Sequence, residues 1–132
     1  MDRSELEAVI ERTPFAKLLG ARLLEFSEGR ASLSVPLRAD LKMHLDIAHG
    51  AVVGFMADSA CAWAAASVAA SVVTAEYKLN LMSPGVGDAL LARGEVIKMS
   101  GRTIVCRADV FAVADGGETI IATALASITR LN

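Results

Sequence analysis

Two spatial periods divide the chain. Residues 51 to 73, AVVGFMADSACAWAAASVAASVV, are small or apolar nearly all the way round a helical wheel, whereas most of the C-terminal half alternates apolar with polar positions. The long run predicts a central helix covered on most of its faces. After it, TAEYKLNLM sets Ala75, Tyr77, Leu79 and Leu81 against Glu76, Lys78 and Asn80, the period of a half-buried strand that Ser83-Pro84-Gly85 then breaks. Residues 89 to 99, 102 to 114 and 118 to 130 read as three further strands, divided by the tight-turn signals Ser100-Gly101 and Asp115-Gly116-Gly117. Ahead of the helix, residues 21 to 26 and 31 to 36 alternate around Ser27-Glu28-Gly29 and form a hairpin closed by Pro36. The start of the chain reads as two short helices. Ser4 and Glu7 form a capping box for the first, which carries Leu6, Val9 and Ile10. Pro14 opens the second, which runs through Phe15, Leu18 and Leu19 to a left-handed stop at Gly20.

The expected architecture is therefore α+β: short helices, two strands, one long helix, then four strands in an antiparallel sheet. Alanine and glycine on the helix let backbones approach closely, so the sheet is expected to curl around it. The 132 residues fit a single domain, 1-132, that buries about two-thirds of its unfolded surface. Residues 51 to 73 are also long enough to cross a bilayer. Their alanines and serines are weakly lipophilic and no positive cluster flanks them, which favours a core helix and no membrane partner.

A net charge of −2 with scattered Lys and Arg leaves no electrostatic footprint for nucleic acid. Cys61 and Cys106 stand apart without metal-ligand spacing, which predicts reduced thiols and no metal site. The acidic N-terminal stretch MDRSELEAVIERTPF lacks the basic start of a signal peptide, so the expected location is cytoplasmic.

One stretch, AHGAVVGFMADSA, carries chemistry. Gly50 falls in the first helical turn, where unpaired N–H groups and the positive end of the helix dipole can stabilise an oxyanion. Asp58 is a lone carboxylate in a run of small and apolar residues, a placement that costs free energy unless the group is used. Eight helical steps separate their Cα atoms by about 12 Å, so one reacting carbonyl cannot touch both within a chain. Two antiparallel copies of the helix about a two-fold axis would bring Gly50 of one opposite Asp58 of the other. The spacing predicts a homodimer, with pairing of terminal strands covering open sheet edges.

The His49-Gly50-x7-Asp58 arrangement, TAEYKLNLMSPGVGD at 74 to 88 and the Ser100-Gly101-Arg102 turn resemble the hotdog-fold acyl-CoA thioesterases, most closely the phenylacetic-acid-pathway branch. The resemblance spans residues 15 to 130. It implies a sheet wrapped round a central helix, a homodimer or dimer of dimers, active sites at the subunit interface, and hydrolysis of an acyl-CoA or aryl-acyl-CoA without a cofactor. By position it makes Asp58 the nucleophile or general base, Gly50 the oxyanion donor and His49 a group that holds the thioester end or orients the loop. Ser83, Pro84, Gly101 and Arg102 fall where relatives contact CoA, with Arg102 on phosphate. The chain departs from the pattern at Ala51, where relatives often carry a second glycine, and at Ala62, where some present Ser or Thr. The larger departure is Met43, in place of an Asn or Gln that positions water or thioester; His44 and Asp46 are the nearby substitutes.

Other readings compete. Asp58 alone also fits a buried polar group bonded to nearby backbone. Cys61 has no activating His and reads as a small hydrophobe. Phe55, Met56, Trp63 and Met82 read as core before acyl pocket, and Lys78 and Lys98 as solvated charges. The functional rivals are a non-catalytic acyl-CoA-binding protein and a hydratase or dehydratase of enoyl or hydroxyacyl thioesters. The second needs a close Asp-His pair, and none follows Asp58.

Overall fold

A computed structural model describes residues 1–132. The chain runs α1 (Arg3–Glu11), α2 (Pro14–Leu19), β1 (Arg22–Ser27), β2 (Arg30–Pro36), a 3-10 turn at Ala39–Leu41, α3 (Gly50–Ala69), β3 (Val72–Leu81), β4 (Ala89–Ser100), β5 (Thr103–Ala114) and β6 (Gly117–Arg130). The expected order of elements is the one observed, with two local corrections. The capping box of α1 sits two residues earlier than read: Asp2 Oδ1 accepts from Glu5 N at 2.9 Å and Asp2 N donates to Glu5 Oε2 at 2.7 Å. Asp caps as well as Ser, and Glu5 offers the same third-position carboxylate. The long helix stops at Ala69 and not at residue 73, because Val72 and Val73 pair instead with Arg130 and Thr129 of β6. β-branched residues gain more on a pleated surface than in a last helical turn.

All strand pairings are antiparallel, in the order β1-β2-β4-β5-β6-β3. Register shifts in β1, β3 and β4 and between β5 and β6 bend the sheet, the geometry needed to wrap α3. Met56, Ala57, Ala60, Cys61, Ala64 and Ala65 of α3 are fully enclosed, against Leu33, Val35, Leu90, Ile104, Val110 and Ile128 of the sheet. Helix α3 has the length and composition of a membrane span, but 61% of its most apolar window is buried inside the fold. Its apolar faces are already used by the sheet.

The helix lies closest to β4. A Cβ added at Gly94 would sit 2.3 Å from the Ala60 carbonyl oxygen, so only glycine lets these backbones meet. Gly94→Ala is expected to cost about 2 kcal/mol through overpacking, read as a lower denaturation midpoint with unchanged cooperativity.

The two sheet edges are treated differently. At β1, the Arg3 guanidinium donates to the Leu23 and Leu24 carbonyls, each at 3.1 Å, and so occupies part of the edge. At β3 no chain segment covers the edge, and Val73 (50% exposed), Tyr77 (41%) and Leu81 (60%) stand open there.

Candidate active site

The start of α3 is built by the loop before it. Lys42 bridges Ala48, Met43 N donates to Ile47 O at 2.8 Å, and His49 N donates to Leu41 O at 2.9 Å, so the loop delivers His49 to the helix N-cap. There His49 Nδ1 accepts from Ala51 N at 2.9 Å. In the neutral ring an accepting Nδ1 leaves the proton on Nε2, and the residue is exposed. Val52 N and Val53 N both donate to the His49 carbonyl, at 3.0 and 3.3 Å. Of the four first-turn amides, Gly50 N–H alone has no partner in the chain. The ring of His49 thus serves the helix as a cap and concentrates the unspent donor capacity at Gly50.

Gly50 lines an open cleft of about 380 Å³ together with Met43, Leu81, Ser83, Pro84 and Gly85. Its lining carries no carboxylate, imidazole, thiol or amine, and its one side-chain hydroxyl is Ser83. Met43 fills the place expected for an Asn or Gln, with its Sδ accepting from Leu45 N at 3.2 Å. The nearby substitutes do not take its place: His44 and Asp46 are exposed and off the cleft, and Asp46 pairs with Lys42 at 3.4 Å.

Asp58 lies elsewhere on the same helix. The face of α3 formed by Gly50, Gly54 and Asp58 is covered in turn by Leu81, Tyr77 and Thr74 of β3: Leu81 Cδ1 approaches Gly50, the Tyr77 hydroxyl lies over Gly54, and Thr74 Oγ1 donates to Asp58 Oδ1 at 2.6 Å. Asp58 is half-buried, and Oδ2 has no hydrogen-bond partner. A short bond to one carboxylate oxygen fixes the side chain while the other oxygen stays available. The partner is a side-chain hydroxyl and not backbone, so the lone carboxylate is oriented without being spent.

The structure therefore brings Gly50, Ser83 and Pro84 together and leaves Asp58, Gly101 and Arg102 outside the cleft. Gly101 (φ +60°) and Arg102 make the β4–β5 turn, and Arg130 N donates to Arg102 O at 2.8 Å. Since Val72 and Thr74 pair with Arg130 and Ile128, this turn belongs to the Asp58 end of the protomer. Sequence reasoning missed Thr74 and Arg130. Alternation alone sets Thr74 opposite Tyr77, and only the bulge between Thr74 and Glu76 returns it to the same face, whereas Arg130 continues the inward series Ala124, Ala126, Ile128 with a charge.

Cys61 is fully enclosed; burial, then the neighbouring Cys106, then Asp58 push its thiol up to about 12, and burial pushes Cys106 up to about 11. Neither is a nucleophile at neutral pH. A thiol-reactive dye at pH 8 should label no cysteine in the native protein and both after denaturation. Both thiols ionise near 9.0 when unfolded but higher when folded, so their contribution to stability is full below pH 9 and declines as pH rises toward 12.

The thioesterase superfamily model matches residues 45–119, the segment from the loop before α3 into β6. The chain belongs to the thioesterase superfamily. A thioesterase family protein from Silicibacter pomeroyi is similar over 95% of this chain and 94% of its own, with 33% identity and a TM-score of 0.91. A mutant of the phenylacetic acid degradation protein PaaI from Thermus thermophilus covers 89% of this chain and 99% of its own, at 29% identity and a TM-score of 0.79. The PaaI protein of the E. coli phenylacetic acid degradation operon, at 24% identity and a TM-score of 0.88, shares the fold over 98% of this chain and 92% of its own. Among curated proteins, no sequence matches. The six-stranded antiparallel sheet around one long helix is the hotdog fold of this superfamily, and the chain is a PaaI-like thioester hydrolase.

Proposed function

We propose that this thioesterase hydrolyses acyl-CoA at sites shared by two copies of the chain, Asp58 of one working against the Gly50 amide of the other. The observation that carries the reading is a division of labour along α3. The only unpaired first-turn amide opens on a cleft without a titratable group, while the one oriented carboxylate sits two helical turns away with a free oxygen. A two-fold axis near Gly54 would superpose these halves twice. The uncovered, apolar β3 edge beside them supports that pairing, because an open strand edge next to exposed Val73, Tyr77 and Leu81 is a surface that a second copy satisfies.

In such a site the thioester carbonyl oxygen accepts from Gly50 N–H. Asp58 Oδ2 of the partner either attacks the carbonyl carbon, giving an anhydride that water opens, or takes a proton from an attacking water. The C–S bond breaks, the thiolate leaves as CoA after gaining a proton, and the acyl group leaves as a free acid. Negative charge develops on the oxygen held by the amide, so the donor acts most strongly in the transition state. His49 preserves the donor by capping its neighbour, and Ser83 and Pro84 flank the arm that leaves the cleft. Apolar Met43 and Leu81 favour an aryl-acyl or medium-chain acyl group, in keeping with the phenylacetic acid degradation named for its PaaI neighbours.

Met43 gives one rival its observation, since an acyl-CoA-binding protein needs no polar group there. A panel of acyl- and aryl-acyl-CoA thioesters, with a thiol dye reporting free CoA, separates the two. Turnover by wild type and none by Asp58→Ala is expected; tight binding of acyl-CoA with no thiol released would favour the binding protein.

A further inference from the structure

We infer that Gly85 is a positioning residue: by joining the two walls of the cleft at Ala48, it sets where the Gly50 amide stands against Ser83 and Pro84. The inference rests on the reading of Gly50 as oxyanion donor and adds a residue that the motif leaves without a role.

One hydrogen bond ties the walls. The segment 39–48, which delivers His49 to α3, is bonded mostly to itself: Leu41 N and Lys42 N donate to the Arg38 and Ala39 carbonyls, Met43 N to Ile47 O, Asp46 N to Met43 O, and His49 N to Leu41 O. Asp40 and Asp46 pair with Arg38 and Lys42. These bonds hold the shape of the segment without fixing its place. Its one hydrogen bond to a distant part of the chain runs from Ala48 N to Gly85 O, at 2.9 Å. The receiving side is itself anchored on the sheet at both ends, since Met82 N and Ser83 N donate to Ile121 O at 2.7 and 3.2 Å and Asp88 N donates to Val113 O at 2.8 Å. Ala48 and Gly85 are both buried and both line the cleft. Ala48 precedes Gly50 by two positions on one wall, and Gly85 follows Ser83 by two on the other, so the cleft opens from this bridge.

Gly85 has no left-handed φ that would call for glycine. What it lacks is room: a Cβ there would lie 2.8 Å from Ala48 Cβ and 3.1 Å from Ile121 Cδ1. Carbon atoms in contact stand about 3.5–4.0 Å apart, so an added methyl group would drive Ala48 away by about 1 Å. Ile121 can turn its terminal carbon aside, whereas Ala48 moves only with its backbone. A displacement of about 1 Å at a reacting centre can cost on the order of 100-fold in rate.

The test moves one methyl group across the gap. Gly85→Ala should lower kcat for an acyl-CoA about tenfold to a hundredfold per folded molecule, with a smaller change in KM. The double variant Ala48→Gly/Gly85→Ala removes the opposing methyl and should return kcat to within about threefold of wild type. A residue that only supports the fold would lower the denaturation midpoint and leave kcat per folded molecule unchanged. That result overturns the proposal, and so does a loss of kcat that Ala48→Gly fails to restore. Ala48→Val presses on the same contact from the helix side and replaces Gly85→Ala if that variant does not fold; it should lower kcat likewise, and an unchanged kcat per folded molecule again overturns the proposal. Amide NMR reads the geometry without turnover. In Gly85→Ala the Ala48 amide should exchange faster with solvent and the Gly50 resonance should shift, and both should return in the double variant. If wild type hydrolyses no thioester, or Gly50→Pro keeps its kcat, the oxyanion reading fails by itself, and the resonances still decide the bridge: an unmoved Gly50 signal rejects it.

Discussion

Gly50→Pro should abolish turnover, and a second inactive variant should bring it back. Proline removes one N–H and nothing else that this position uses. It is favoured at the first residue of a helix, His49 already has the extended backbone (φ −66°, ψ 139°) that a following proline demands, and the nearest side chain to a Cβ there is Leu81 at 3.4 Å. The helix therefore survives while its free donor disappears. Loss of one oxyanion donor typically lowers kcat about 100- to 1000-fold. Gly50→Ala, which keeps the amide, should stay near wild type. When Gly50→Pro and Asp58→Ala proteins are mixed and allowed to exchange subunits, random pairing makes half of the pairs mixed, and each mixed pair holds one whole site of two. About a quarter of wild-type activity should then return. If mixing restores nothing although the variants exchange, the shared site is wrong.

Asp58→Asn carries the other large effect. The amide oxygen can still accept from the Thr74 hydroxyl, so the side chain keeps its place, and the NH2 group replaces the free carboxylate oxygen. A donor then stands where the proposed attacker or proton acceptor was. The expected result is a fall in kcat of about 10²- to 10⁴-fold with little change in KM or in denaturation midpoint. Retention of more than a tenth of wild-type kcat would remove Asp58 from the chemistry.

Much of this architecture is legible in the residue pattern. The strands alternate between their bulges because one face lies toward α3, and the helix start is explicit because a His-Gly pair supplies both a cap and an unencumbered first turn. The ends are harder. Asp2 and Ser4 both fit a cap with a carboxylate three residues on, and Val72-Val73 continue an apolar run whose conformation only the pairing with β6 decides. Gly50 and Asp58 stand out because a carboxylate among alanines demands a reason. Their neighbours do not, since Thr74 reaches Asp58 through the register of β3 against the helix, and Arg130 meets Arg102 through the register of β6 against β5. Such relations are tertiary, and local pattern cannot carry them. Met43 shows the converse: its place beside Gly50 follows from position alone, while its meaning depends on a cleft that sequence does not draw.

The plug that Arg3 sets into the β1 carbonyls has a consequence for assembly. A sheet with two free flanks can add strands from one molecule after another without limit, the geometry of a fibril. Here a guanidinium occupies part of one flank, while the other stands open. If two copies join along the open flank as proposed, the plug opposes growth at the other, and a mutation that empties the Arg3 position is expected to expose a second sticky border and tilt the protein toward open-ended polymerisation.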